Sequence, residues 1–212
     1  MPRVFVNLGP PRESSFASPL GLLCDCHRRI ESFLADMRRI AAEGRGGALS
    51  DEDRATLAGA VRYFTVAAPR HTADEEESLF PRLRAMGGRQ AEHALAALRQ
   101  LEDDHDHADA CHAEANGLAE RWLAAGTLDW SDAQRLTELL DTLHGIYREH
   151  IAVEDSTVFP AAGAALDAGQ IEAIGREMAV RRGLDFDRVV GGASAPPVVE
   201  ARMPFRSASE RG

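Results

Sequence analysis

The sequence predicts an all-α protein: an up-down four-helix bundle with a short additional C-terminal helix and a flexible tail. Three observations predict it. Apolar residues recur at spacings of three and four over four long segments. Short Gly-containing links join those segments. No segment shows the period-two alternation of a strand backed by hairpin turns.

Taken in order, residues 1–17 form an N-terminal lead rich in proline, with Pro2, Pro10 and Pro11. The first helix spans about Leu20 to Glu43, where Leu23, Cys26, Ile30, Phe33, Leu34, Met37 and Ile40 recur with helical period. The run Gly44 to Gly47 stops it. Ser50, with Asp53 three residues on, is an N-cap for a second helix over about Asp51 to Leu79. Pro69 removes one backbone donor there and should kink the helix before His71. The third helix covers about Gln90 to Ala125. Ser131 then caps a fourth, running to about Phe159. A fifth fits Asp167 to Arg182 and closes the domain at residue 183, leaving 184–212 as the tail.

Composition excludes several classes. The chain has 212 residues, 44% hydrophobic and 27% charged, which suits a soluble globular core. Its net charge of −10 is carried without a basic stripe, which argues against nucleic-acid binding. No apolar run approaches the ~18–20 residues of a membrane span. The N-terminal residues lack the pattern of a signal peptide. Three cysteines, Cys24, Cys26 and Cys111, are too few for a disulfide scaffold and point to a reducing cytoplasm.

The chemistry lies in a repeat. HTADEEESLFP, from His71, and HIAVEDSTVFP, from His150, share one template: His, three residues, Glu, four residues, Phe-Pro. Residues four apart share a helix face, so His71 pairs with Glu75 and His150 with Glu154. The repeat extends upstream: His27 precedes His71 by 44 residues and His105 precedes His150 by 45. Four His and two Glu would then point into one bundle core, a donor set that suits iron, zinc or manganese, with the carboxylates able to bridge two metals. The two Phe-Pro pairs mark where each metal-bearing helix should end, with Phe80 and Phe159 capping the apolar end of the site.

Other residues carry weaker expectations. His107 and His144 turn away from the ligand faces, and His93 also lies off that of His105. His112 returns to the face of His105 two turns on and is the best spare ligand. Glu31 and Asp109, each four residues after a ligand His, either reach a metal or are solvated acids. Glu76, Glu77 and Asp155 are solvated or serve as alternative ligands. Cys24 shares the face of His27 and reads as a small core residue. Tyr147, one turn before His150, either donates a hydrogen bond to an oxygen beside the metals or is a core tyrosine.

With these residues the chain resembles the hemerythrin-like, or HHE cation-binding, domain over about residues 18–165. The resemblance implies an up-down four-helix bundle around a non-haem centre of two Fe ions, oxo- or hydroxo-bridged, with Zn or Mn as substitutes. It implies His27, His71, His105 and His150 as terminal ligands and Glu75 and Glu154 as bridges, Asp155 competing with Glu154. The oxygen carriers of this type have a third-helix His-x-x-x-His where this chain has His105 and Asp109. They end on a His-x4-Asp pair where it has His150-x3-Glu154. The extra carboxylate favours oxygen activation or sensing over reversible carriage. The implied partner is O2 or a small oxidant. An oxidase or peroxidase, iron storage or transfer, and a metal-free structural bundle are the alternatives. A homodimer or an unidentified protein partner stays open.

Overall fold

The computed structural model describes residues 14–86 and 89–191, and the side chains of 14–86 and 94–191. The described residues are helical throughout, apart from turns and one isolated bridge between Ser15 and Ser18. The helices are α1 (Pro19–Gly44), α2 (Asp51–Val66), α3 (Ala68–Ala73), α4 (Phe80–Ala85), α5 (Arg89–Ala125), α6 (Trp130–Val153), α7 (Phe159–Ala165), α8 (Ala168–Arg181) and α9 (Phe186–Val190). Two π-helical segments interrupt them: π1 (Asp74–Leu79) between α3 and α4, and π2 (Glu154–Val158) between α6 and α7. No helix among the described residues is long and apolar enough to cross a membrane.

The longest helices pack in a ring: α1 against α2 and α6, and α5 against α2 and α6. Local chemistry sets their ends. Ser50 caps α2 as expected, its hydroxyl accepting from the Asp53 N–H at 3.1 Å. Ala67 separates α2 from α3 two residues before Pro69. The cap of α6 is Asp129 rather than Ser131, which lies inside the helix. Asp167 opens α8 with a complete capping box to Gln170.

The expectation that Phe-Pro ends each metal-bearing helix is corrected. Both chains of turns continue, as α4 and α7, with the proline in the first turn of the new helix. The fixed φ of proline already suits that helical backbone. The predicted tail also begins later than residue 184. Asp185 caps the short α9, its carboxylate accepting from the Arg188 N–H at 2.8 Å. The rest of that tail, 192–212, and the lead as far as residue 13 lie outside the described residues.

Two apolar clusters fill the interior. One, around Ile30, Leu34, Phe64, Leu118, Trp122 and Leu140, occupies the half of the bundle holding the α1–α2 link. The other, around Leu23, Leu79, Phe80, Leu101, Phe159 and Met178, lies under α8. Gly175 on α8 lets the chain at Phe16 approach closely: a Cβ there would overlap the Phe16 carbonyl oxygen. The division follows the helix period. Leu23 and Ile30 flank His27, and Leu101 and Ala108 flank His105, each pair split between the two clusters. A polar layer therefore crosses the core at the level of the histidines.

Candidate metal centre

All six residues of the repeated pattern meet in that layer. His27 comes from α1, His71 from α3, His105 from α5 and His150 from α6. Glu75 lies in π1 and Glu154 opens π2. Glu75 and Glu154 are fully buried, and each histidine is at most 5% exposed. Two groups of four have ligand atoms within 4.8 Å of one another: His27, His71, Glu75 and Glu154, and Glu75, His105, His150 and Glu154. Both carboxylates belong to both groups.

The π segments explain the spacing of the template. In each, the Phe N–H donates to the carbonyl of the Glu five residues earlier: Phe80 to Glu75 and Phe159 to Glu154. The four residues between Glu and Phe are the interval of one π turn. The same geometry buries both Phe rings against the site. Phe159 stacks on His27 with centroids 5.3 Å apart, and Phe80 lies parallel to His105 at 6.4 Å.

Hydrogen bonds orient two of the imidazoles. The Nδ1–H of His27 donates to Asp155 at 3.0 Å, and that of His105 donates to Glu76 at 2.8 Å. Each accepting carboxylate is the residue after a buried Glu, on the opposite half of the repeat. These donations fix the tautomers, so each Nε2 turns a lone pair inward. Inward, it meets carboxylate oxygens. His27 Nε2 lies 3.0 Å from Glu154, His105 Nε2 3.4 Å from Glu75, His71 Nε2 3.3 Å from Glu75 and His150 Nε2 3.2 Å from Glu154. Yet the four oxygens of Glu75 and Glu154, and Nε2 of His27, have no aligned hydrogen bond. Buried polar atoms are rarely left so. Acceptors facing acceptors around one point fit a shared cation, and the imidazole and carboxylate donors fit a transition metal.

Protons are the alternative occupants. Burial disfavours the imidazolium of His27, but contacts to Asp155, Glu154 and Glu75 outweigh it and raise its pKa to about 12. At His105, burial is outweighed by Glu75 and Glu76, and the pKa rises to about 9. At His71 burial prevails over Glu75 and lowers it to about 4. Burial opposes the charge on Glu75, but His71, His105 and His27 hold its carboxyl below the usual range.

The weaker expectations sort by position. His107 and His144 are exposed, and the side chain of His93 lies outside the described residues. Glu31 and Asp109 are exposed and belong to neither group. His112 is buried but joins neither group; it stacks on Phe64 at 4.3 Å and shares a 2.9 Å hydrogen bond with the Tyr147 hydroxyl. Seven residues carry it about 10 Å along the helix, away from the histidine layer. Cys24 donates its thiol to Asp155 at 3.4 Å. Glu77 is exposed and pairs with Arg181.

Sequence reasoning missed Asp74. It is fully buried in π1 and takes Arg182 at 2.6 Å and Arg181 at 2.9 Å, both at the end of α8. No local pattern marks it: its partners lie 108 and 107 residues away.

A small cavity of ≈ 10 Å³ opens on the layer, walled by His27, His71, His105, His150, Tyr147 and Ile151. That is about the room one water needs. Burial raises the Tyr147 pKa, so the phenol keeps its proton there.

The family model described as the hemerythrin HHE cation-binding domain matches residues 18–162. A search of curated proteins finds no match to the chain. The matched span covers more than half of the sequence and contains every residue of both four-residue groups, so the chain belongs to the hemerythrin HHE cation-binding domain family.

Proposed function

We propose that this protein holds a non-haem di-iron centre at which O2 or a related small oxidant is bound or sensed. The observation that carries the reading is the membership of Glu75 and Glu154 in both four-residue groups. One metal would take His27 and His71, the other His105 and His150, with both carboxylates between them. We read α1, α5, α6 and the continuous run from α2 to α4 as an up-down four-helix bundle built around that pair. Two neighbouring irons, once bound there, would supply reversible electron transfer to a small oxidant. The chain's part is to hold them and to limit access.

Cavity size favours binding or sensing over an oxidase with an organic substrate, since the space beside the histidines takes only about one water-sized molecule. Ile30, Ala68 and Ile151 line that space with hydrocarbon and keep bulk water out. Tyr147, protonated and in its wall, would donate a hydrogen bond to a bound oxidant. The small number of cysteines, three, accords with a cytoplasmic setting.

The test is elemental analysis and a visible spectrum of protein purified without chelator, beside a His71→Ala, His150→Ala double variant. Two irons per chain with near-ultraviolet charge-transfer bands, both lost in the variant, is the expected result. Zinc or manganese at the same stoichiometry would retain the site and reject the oxidant chemistry. One metal or none would reject the paired centre.

A further inference from the structure

Beside the metal layer lies a second cavity, of ≈ 360 Å³, to which none of the six His and Glu residues contributes. Small-molecule sites commonly fall in the range of roughly 300–1,000 Å³. Three arginines reach it from three helices: Arg29 from α1, Arg70 from α3 and Arg182 just after α8. Arg182 is committed to Asp74 and to the Met178 carbonyl. Arg29 and Arg70 have no carboxylate partner among the described residues.

Arg45, Arg54, Arg62, Arg99 and Arg188 also lack a carboxylate partner among the described residues, but Arg29 and Arg70 lie together on one cavity wall. Acids outnumber bases, 34 to 24. Arg38, Arg39, Arg82, Arg121, Arg135 and Arg176 each hold an acid at 3.2 Å or less. Two unpaired guanidiniums on one concavity make a local positive focus on an acidic protein. The rest of the wall is suited to an apolar body. Phe16 and Leu22 line it, and Tyr63 adds a ring held by stacking on Phe33 at 4.6 Å, its hydroxyl donating to the Cys26 carbonyl at 3.3 Å.

We propose that this cavity binds a small organic carboxylate, its anionic end taken by Arg29 and Arg70 and its apolar body by Phe16 and Leu22. Planar guanidinium groups match a carboxylate in shape and charge. The placement links the ligand to one half of the metal layer. Cys26, in the cavity wall, directly precedes His27, and Arg70 directly precedes His71, and these two histidines share one four-residue group. Binding itself does not depend on a metal being held.

The test is calorimetric titration of the full chain with benzoate, acetate and inorganic phosphate. Wild type is set beside Arg29→Ala, Arg70→Ala and beside Arg62→Ala, which removes an exposed arginine of α2 outside the cavity. Arg29 and Arg70 are exposed, so the double variant should keep its helical circular-dichroism spectrum. Benzoate should bind wild type and Arg62→Ala alike, more tightly than acetate or phosphate, and at least about ten-fold more weakly in the double variant. Equal affinity in the double variant, equal loss in Arg62→Ala, or phosphate binding as tightly as benzoate would overturn the proposal. Because carboxylates also ligate metals, the titration is repeated on His71→Ala, His150→Ala. Benzoate binding retained there supports the cavity whatever the metal content, and binding lost there overturns it.

Discussion

The two halves of the repeat agree at the metal layer and differ around it. Each contributes two His, one buried Glu, one Nδ1-accepting carboxylate and one stacked Phe. Outside that set the correspondence fails. Asp74, before Glu75, is buried under two arginines, whereas Val153, before Glu154, is 37% exposed. Tyr147 and His112 bond to each other in the second half, and their counterparts in the first are Ala68 and Leu34. What the halves share is what a paired cation site needs. What they do not share ties each half to its own neighbours, π1 to α8 and α6 to α5.

The strongest way to break the comparison is through the shared carboxylates. If Glu75 and Glu154 serve both metals, Glu75→Ala and Glu154→Ala should each empty both sites. A single His71→Ala should chiefly weaken one. Metal per chain after exhaustive dialysis measures this. Loss of one metal from each Glu variant would assign one carboxylate to each site and end the bridging reading.

Asp74 and Val153 test the difference in support. Asp74→Ala leaves Arg181 and Arg182 without their buried acid. A broken buried pair costs about 3–5 kcal/mol, and the partial exposure of the arginines argues for the lower end, about 3 kcal/mol. Val153→Ala, on an exposed position, should change stability by less than about 0.5 kcal/mol. Urea unfolding of the two variants gives both values. Equal small effects would show that α8 does not brace π1.

The sign of the pH dependence comes from the two Nδ1-bonded histidines. With pKa values raised to about 12 and 9, His27 and His105 carry protons at neutral pH in metal-free protein. Ligation must expel them. Metal affinity should therefore climb as pH rises from 6 to 8, by up to about ten-fold per unit for each proton released. The same shifts stabilise the metal-free fold at low pH. That stability is fully present below about 6.5 and is lost as pH rises through 9 and beyond. Asp155→Asn and Glu76→Gln should each reduce the proton release on zinc loading, one for each half. Competition with a chelator across this range, with proton uptake read by calorimetry in two buffers, checks both slopes.

How much of this was legible in the sequence follows from the range of each interaction. Helical period placed the long helices, because burial of one face repeats every three to four residues. Spacing also paired His71 with Glu75 and His150 with Glu154 on shared faces, while His27 and His105 entered through the repeat, and Glu31 and Asp109, at the same four-residue spacing, stay exposed. The π turns were also written there, as the five-residue step from Glu to Phe before a proline, but a proline alone reads as a helix end. Glu76 and Asp155 looked like solvated neighbours of a buried Glu. Their role depends on a histidine from the other half, which no local pattern supplies. Asp74 failed for the same reason, whereas His112, read as two turns from His105 on the same face, lies too far along the helix to join either group.

The smallest expected effect concerns the polar pair that the second half has and the first lacks. Tyr147→Phe removes the hydroxyl bonded to His112 Nε2 at 2.9 Å. The imidazole is buried, burial lowers its pKa to about 4, and its Nδ1 already has no hydrogen-bond partner, so the neutral ring is left with neither nitrogen matched. An unsatisfied buried group costs about 1–3 kcal/mol. His112→Leu, the residue found at the matching position 34, removes the need for the partner, so the double variant should recover most of the loss in thermal unfolding. Neither residue belongs to the four-residue groups, and metal content should stay at the wild-type value. If the double variant stays as unstable as the single one, the hydroxyl matters for something other than His112. The remaining neighbour on its path is the small cavity beside the histidines, where a loss of oxidant affinity in Tyr147→Phe would then be the sharper measurement.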